Sequence, residues 1–436
     1  MASSAKNVIV SFTGQTLTHF GGLVLLQQFA QRLGLRRLLT RTIRFRQRNH
    51  HYSISESLLA LLYPILLGLG RIESTRLLQH NGVFQYLTGL PTYPDPQTLR
   101  RFLERFAEAG LTDFLALHDQ LRQQFVAHPD PLSTVIFDLD STILTVYGHQ
   151  AQAAVGFNPK KRGRPSYLPL LCVEGHTGDC WAAEYHPGNT HVATVTVPLW
   201  EAARAKVPVR TAVRVRADGA FYAWEIIEAL EAQSAGYAIV ARMTRPLQQR
   251  VAGANYHAVG GGVSVAEFAY QPQGWPGSRR FVAVRRPVPE EPSWQLSLFR
   301  LGEYVYRVIV TNLELTPLHV WRFYNGRAVA ELVIREMKEA YALGKIPTSD
   351  WQANQAYFQL VVFAYNLLNW FRRFCLPEPW QRLTLPTIRQ RLLLVPGELV
   401  RPQGRPLLKL PHSFPYQDEF LGTLRRIRHL KLPSAK

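Results

Sequence analysis

Three acidic positions stand where a strand-rich protein could put carboxylates to work. In "FDLDSTIL" (137–144), Asp138 and Asp140 close an apolar, β-rich run, and in "VRVRADGAF" (213–221) Asp218 does the same ahead of Gly219. Acids that end apolar strands are costly to bury unless they meet a metal or another cation, and strand ends are where α/β sheets open onto a crevice. Glu331, inside "RFYNGRAVAELVIREMK" (322–338), offers a third carboxylate from a helix. An oxygen-only donor set with few histidines nearby and no thiolate cluster suits Mg²⁺ or Mn²⁺ rather than zinc. Two such ions about 3.5–4 Å apart activate water or a 3′-hydroxyl and stabilise the leaving oxygen of an in-line displacement at phosphorus. The expected chemistry is therefore phosphodiester cleavage or transfer.

The helix around Glu331 has its own pattern. At about 100° per residue, a single helix over 322–338 brings Tyr324, Arg327, Glu331 and Lys338 within an arc of roughly 60°. Val329, Ala330, Val333, Ile334, Met337 and Tyr341 then form the apolar face. The plainer account is an exposed i,i+4 Arg–Glu pair worth about 0.3 kcal/mol.

These residues need elements to position them. "STVIFDLD" (133–140), "YLPLLCVEG" (167–175) and "CWAAEYHPG" (180–188) read as successive strands. Helix 190–206, strand 210–219, helix 220–234 and strand 237–243 follow, and that order implies a mixed α/β sheet. Residues 246–320, with the Arg-laced "RRFVAVRRPV" and "GEYVYRVIVTN", read as a mostly β insertion. Ahead of the sheet, 1–125 reads as a basic all-helical domain, its helix at 95–111 N-capped by Asp95 or Thr98. The expected division is 1–125, a core in two parts (130–245 and 321–375) around the 246–320 insertion, and a basic, Pro-interrupted region 376–436.

Composition narrows the partner. Among 436 residues, 50 Lys+Arg against 31 Asp+Glu leave a net charge of +19, while 47% hydrophobic content marks a folded chain. Such an excess of cations calls for a polyanion, nucleic acid or an anionic membrane face. The longest apolar run, 58–70, is shorter than the ~17–25 residues a span needs and holds Pro64, so no membrane partner is expected. The start "MASSAKNVIVSF" makes a poor signal peptide. Cys172, Cys180 and Cys375 form neither a disulfide framework nor a zinc quartet. Reduced structural thiols suit a cytoplasmic protein.

The spacing Tyr324-x2-Arg327-x3-Glu331-x6-Lys338 resembles the Tyr-Arg-Glu-Lys signature of bacterial insertion-sequence transposases of the DDE type. Asp-Ser-Thr at 140–142 resembles the first-aspartate motif of that class, "RADGAF" (216–221) the second, and "FNPKKRGRPSYLPLL" (157–171) the loop and strand after the first aspartate. The resemblance, over roughly 130–375, implies an RNase H-like mixed sheet flanked by helices, with a β insertion before the glutamate. It implies that Asp140, Asp218 and Glu331 are catalytic and ligate Mg²⁺ or Mn²⁺ as a pair of ions, and that Tyr324, Arg327 and Lys338 hold DNA phosphates. It also implies double-stranded DNA partners (terminal inverted repeats and target), a homodimer pairing two ends, cut-and-paste movement and a bacterial, nucleoid-associated location. Asp140 is preferred over Asp138 because it directly precedes Ser-Thr, and Asp138 is assigned to the opposite strand face.

Further candidates for DNA contact are Lys160, Lys161, Arg162 and Arg164, whose "KKRGRP" resembles an AT-hook core; the plainer account is a solvated basic hairpin loop. Trp275 and Trp294 could stack on a flipped base at a DNA end, as an aromatic does in related transposases, or simply pack. Two rivals stand beside the transposase. Asp-x-Asp-x-Thr also resembles the first motif of haloacid-dehalogenase-type phosphatases, with Asp138 as nucleophile and Asp140 as acid/base. The other is a catalytically inactive DNA-binding protein derived from a transposase.

Overall fold

The computed structural model describes residues 16–47, 51–126, 133–288 and 299–432. They form two compact units, one of residues 1–120 together with 339–436 and one of residues 121–338.

The first unit begins with helices whose ends are written in local chemistry. α1 (Leu23–Arg32) buries Leu23, Leu25, Leu26 and Phe29, and Gly34 at φ +66° turns the chain into α2 (Leu35–Thr42); only glycine adopts that left-handed backbone without strain. α3 (Ile54–Leu67) starts in a capping box formed by Ser53 and Glu56, and it is buried on nearly its whole circumference. In α4 (Pro96–Ala109), Asp95 accepts the Gln97 N–H at 2.8 Å, so Asp95 rather than Thr98 is the cap. α5 (Leu111–Val126) follows.

The second unit is built on a twelve-stranded mixed sheet. Its long strands are β1 (Thr134–Ser141), β2 (Pro165–Glu174), β3 (Cys180–Pro187), β4 (Ala212–Ala217), β5 (Gly236–Val240), β6 (Val263–Tyr270), β7 (Arg279–Pro287) and β8 (Tyr304–Thr311). Strands of two to four residues complete it. The spatial order is β3-β2-β1-β4-β5-β8-β7-β6. β1 runs antiparallel to β2 and parallel to β4, β4 is parallel to β5, and β8 adds antiparallel to β5. The strands of 246–320 thus extend the central sheet rather than build one of their own.

Alternation sorts the two faces of this sheet. Val135, Phe137 and Leu139 of β1 join Val213, Val215 and Ala217 of β4 in one core. Leu199 and Trp200 of α6 (Val192–Arg204) and Ile226 and Ile227 of α7 (Trp224–Ala232) cover it. On the other face, Val320 and Tyr324 of α8 (Pro317–Asn325) pack with Ala238, Val282 and Ile309. α9 (Ala328–Ala340) follows α8.

The chain then returns to the first unit. α10 (Trp351–Cys375) is capped by Asp350, which accepts the Ala353 N–H at 2.7 Å, and it packs against α3 and α4. α11 (Gln417–His429) lies on α1, and Arg32 Nε donates to the Leu430 carbonyl at 2.8 Å. A small sheet joins Leu17–Thr18, Gly397–Val400 and Leu407–Lys409. The division between units therefore falls between Lys338 and Glu339, inside the segment read as the second part of the core. The physical reason is α10, whose apolar circumference is satisfied by the N-terminal helices. The three cysteines are buried and none is in a disulfide. Among the described residues no single helix is long and apolar enough to cross a membrane.

Candidate active site

Asp140 sits at the end of β1, buried, with its Oδ1 accepting the Ser141 N–H at 2.8 Å. Asp218 follows β4, the parallel neighbour of β1, so adjacent strands deliver two carboxylates to the same sheet edge. Asp218 Oδ1 accepts the Ala220 N–H at 2.9 Å and caps a short turn, which leaves Oδ2 to face the site.

Glu331 arrives from a broken helix. The segment 322–338 is two helices, with Tyr324 near the end of α8, Glu331 and Lys338 on α9, and Arg327 at the joint. The single-helix expectation is corrected here, and the cause is tertiary. Arg216 of β4 donates from Nη1 to the Phe323 carbonyl at 3.0 Å, and a Cβ on Gly326 would stand 2.0 Å from that nitrogen. The backbone passes the joint through bonds from Gly326 N to Phe323 O and from Arg327 N to Tyr324 O, a tighter winding than the α-helix. Most of the apolar face survives the break, since Ala330, Val333, Ile334, Met337 and Tyr341 are buried, while Val329, next to the joint, is only half-buried.

The joint puts the Arg327 guanidinium among all three acids. Its Nη2 lies 3.1 Å from Asp140 Oδ1 and 3.4 Å from Asp218 Oδ2, and its Nη1 lies 2.6 Å from Glu331 Oε1. The Arg–Glu pair of the helix pattern is therefore one edge of a four-residue cluster, with Arg327 itself buried. Burial pushes the Asp140 carboxyl up to about 6; Arg327 opposes this and Asp218 adds to it. For Arg327, burial alone would lower the pKa, but Asp140, Tyr324, Asp218 and Glu331 hold it above its usual range. The donor set facing this point is entirely oxygen, contributed by two strand ends and one helix, which fits a hard divalent ion. Among the described residues no three His, Cys, Asp or Glu side chains are grouped so that they could share a metal ion. Each acid is turned toward Arg327.

Asp138 has a different task. Strand side chains two residues apart share a face, and the structure places Asp138 on the same face as Asp140, one step deeper, not on the opposite face as assigned from sequence. It is fully buried, with Arg216 Nε on Oδ1 at 2.5 Å and Nη2 on Oδ2 at 2.8 Å. A phosphatase nucleophile must reach substrate, and this carboxylate is sealed in an ion pair. Arg216 itself was not singled out from the sequence. Its signal is a cation at an inward position of "VRVRAD", but its pairing with Asp138 depends on the register of β4 beside β1.

The remaining candidates scatter in function. Lys338 Nζ donates to the Ile143 carbonyl at 3.2 Å, just past Asp140, and burial and the nearby Lys160 lower its pKa while Asp140 opposes them. Tyr324 is buried, and burial raises its hydroxyl pKa against the pull of Arg327 and Arg307. Lys160, Lys161, Arg162 and Arg164 are exposed on a loop braced by Asn158, which accepts the Lys161 N–H and donates to Thr145 Oγ1. Trp275 is buried against Tyr222 and Trp224. Trp294 lies outside the described residues. In the first unit, Arg36, Arg37, Arg41 and Arg44 line a cavity of about 700 Å³ with Leu35 and Tyr63.

In this mixed sheet two strand-tip aspartates and a helix glutamate all meet one guanidinium. The family described as Transposase DDE domain group 1 matches residues 1–432, and the chain belongs to that family: it is a transposase. Among solved structures the chain is similar to a piggyBac transposase in a cryo-EM synaptic complex with hairpin DNA. The identity is 10%, the TM-score is 0.47, and the match covers 86% of this chain and 79% of that one. No curated protein matches the sequence.

Proposed function

We propose that this transposase cuts DNA at the ends of its own element and joins those ends to target DNA in a cut-and-paste reaction, with Asp140, Asp218 and Glu331 as its metal-binding carboxylates. The observation that carries the reading is the meeting of all three acids at one guanidinium. The order β3-β2-β1-β4-β5, antiparallel and then parallel, supports reading the core as RNase H-like. A pair of Mg²⁺ or Mn²⁺ ions, when bound, would supply an activated water or 3′-hydroxyl and stabilisation of the leaving oxygen.

The chain's own residues do the rest. Backbone N–H donors fix both aspartates: Asp218 is held through Oδ1 and presents Oδ2 to the site, whereas Asp140 presents the same Oδ1 that Ser141 holds. Lys338, with Tyr324 and Arg327, forms the phosphate-holding side of the site. The exposed cations at 160–164 extend that side along the DNA backbone. The exposed Arg37, Arg41 and Arg44 of the first unit support a role for the helical region in gripping the terminal repeats. A homodimer holding two ends and a cytoplasmic site of action complete the proposal.

The test is cleavage of DNA carrying the element's ends in Mg²⁺, comparing the parent with Asp140→Ala, Asp218→Ala and Glu331→Ala. Each variant is expected to bind DNA and to cut it about a hundredfold less or worse, the scale of losing one electrostatic stabiliser. Robust cutting by any one removes that position from the site. An inactive transposase-derived protein is the outcome if the parent binds the ends and never cuts them.

A further inference from the structure

Arg327 occupies the point that the proposed reading gives to a divalent ion. Its Nη2 stands between Asp140 Oδ1 and Asp218 Oδ2, and its Nη1 holds Glu331. One monocation thus faces three carboxylates and offsets a single unit of their charge, and a dication cannot share those oxygens without strong repulsion from the guanidinium. The side chain is seated only by its two terminal nitrogens; Nε is buried with no hydrogen-bond partner. It is also anchored at the α8–α9 joint rather than within a continuous helix.

We propose that Arg327 is a built-in counter-ion of the carboxylate cluster, which divalent metal must displace on binding and which is thereby released toward DNA phosphate. The inference rests on the assignment of Asp140, Asp218 and Glu331 as metal ligands. It gives Arg327 two anionic partners used in turn: the enzyme's own acids in the free protein, and the phosphate backbone in the working one. The free transposase is then poor at holding metal, which protects bystander DNA from idle cutting.

The experiment is Mn²⁺ binding to the full-length protein without DNA, read by electron paramagnetic resonance of free Mn²⁺ and by calorimetry. Arg327→Gln should bind Mn²⁺ at least tenfold more tightly than the parent. Arg327→Lys should fall between, because a compact ammonium reaches fewer of the three acids than a planar fork does. Since Arg327→Gln leaves three carboxylates facing one another and can weaken the fold, melting temperature in EDTA and in Mn²⁺ is the second measurement. The variant should melt lower than the parent in EDTA and gain more from Mn²⁺. Equal or weaker Mn²⁺ affinity in Arg327→Gln, with an equal melting shift, overturns the inference. Adding Asp140→Asn to Arg327→Gln separates the two levels. If Mn²⁺ binding persists undiminished, the ligand assignment and the inference both fall; if it is lost, yet parent and Arg327→Gln bind alike, only the inference does.

Discussion

An aspartate sealed from water beneath a strand end keeps its charge only if a donor follows it inside. Arg216 does this for Asp138, placing Nε and Nη2 on its two oxygens, and spends Nη1 on the Phe323 carbonyl. Burial still pushes the Asp138 carboxyl up to about 6, with Arg216 pulling the other way. Breaking one side of a buried pair costs about 3–5 kcal/mol. Arg216→Met is therefore expected to lower the unfolding free energy by about that much in urea titrations. Asp138→Asn should also destabilise, with DNA cutting falling only as the folded fraction falls. Asp140→Asn should stay folded and lose cutting. An Asp138→Asn protein as stable as the parent yet unable to cut would reverse these roles and return Asp138 to the chemistry.

At the scale of elements, the site depends on a helix that breaks. Had 322–338 run as one helix, Tyr324, Arg327, Glu331 and Lys338 would have formed a stripe on its surface. The break at Gly326 instead turns Arg327 inward, where its guanidinium meets both strand-tip acids. Gly326→Ala should displace Arg216, because the added Cβ would stand 2.0 Å from Nη1. The expected cost is about 1–3 kcal/mol in thermal or urea unfolding, the range for overpacking, together with reduced cutting at temperatures where the protein is still folded. Unchanged stability and activity would mean that the joint has room the geometry does not show. The N-cap of α10 is a simpler case. Asp350→Ala removes the acceptor for Ala353 N–H and should cost about 1 kcal/mol. Both strands bearing the aspartates, and the helix α6 between them, are legible as patterns in the sequence. The continuity of β8, β7 and β6 with the central sheet is not, because strand pairing at long range leaves no local trace.

For the whole molecule, a net charge of +19 is a statement about partners rather than about folding. If the proposed DNA contacts neutralise 6–10 phosphates, affinity should fall by about 10³–10⁵-fold between roughly 50 and 200 mM salt. Titrations of a labelled duplex across that range give the slope directly. A shallow slope would assign the basic surface to something other than the DNA backbone. The same scale decides where α10 belongs. Its apolar sequence announces a buried helix, but only the folded chain shows it completing the N-terminal helical unit, across more than two hundred residues of intervening sheet.

The acids, their places at the ends of apolar strands and the Tyr-Arg-Glu-Lys spacing belong to the sequence, because strand period, helix period and charge are local properties of a chain. The shared face of Asp138 and Asp140 is likewise implicit in a spacing of two. What the tertiary structure alone decided is which acid is sealed against Arg216 and which meets Arg327 beside Asp218 and Glu331. It also decided that Arg327 stands among the carboxylates. Those outcomes follow from the register of β4 against β1 and from a glycine that lets Arg216 reach the end of α8, and register is fixed by packing between segments that no local pattern relates.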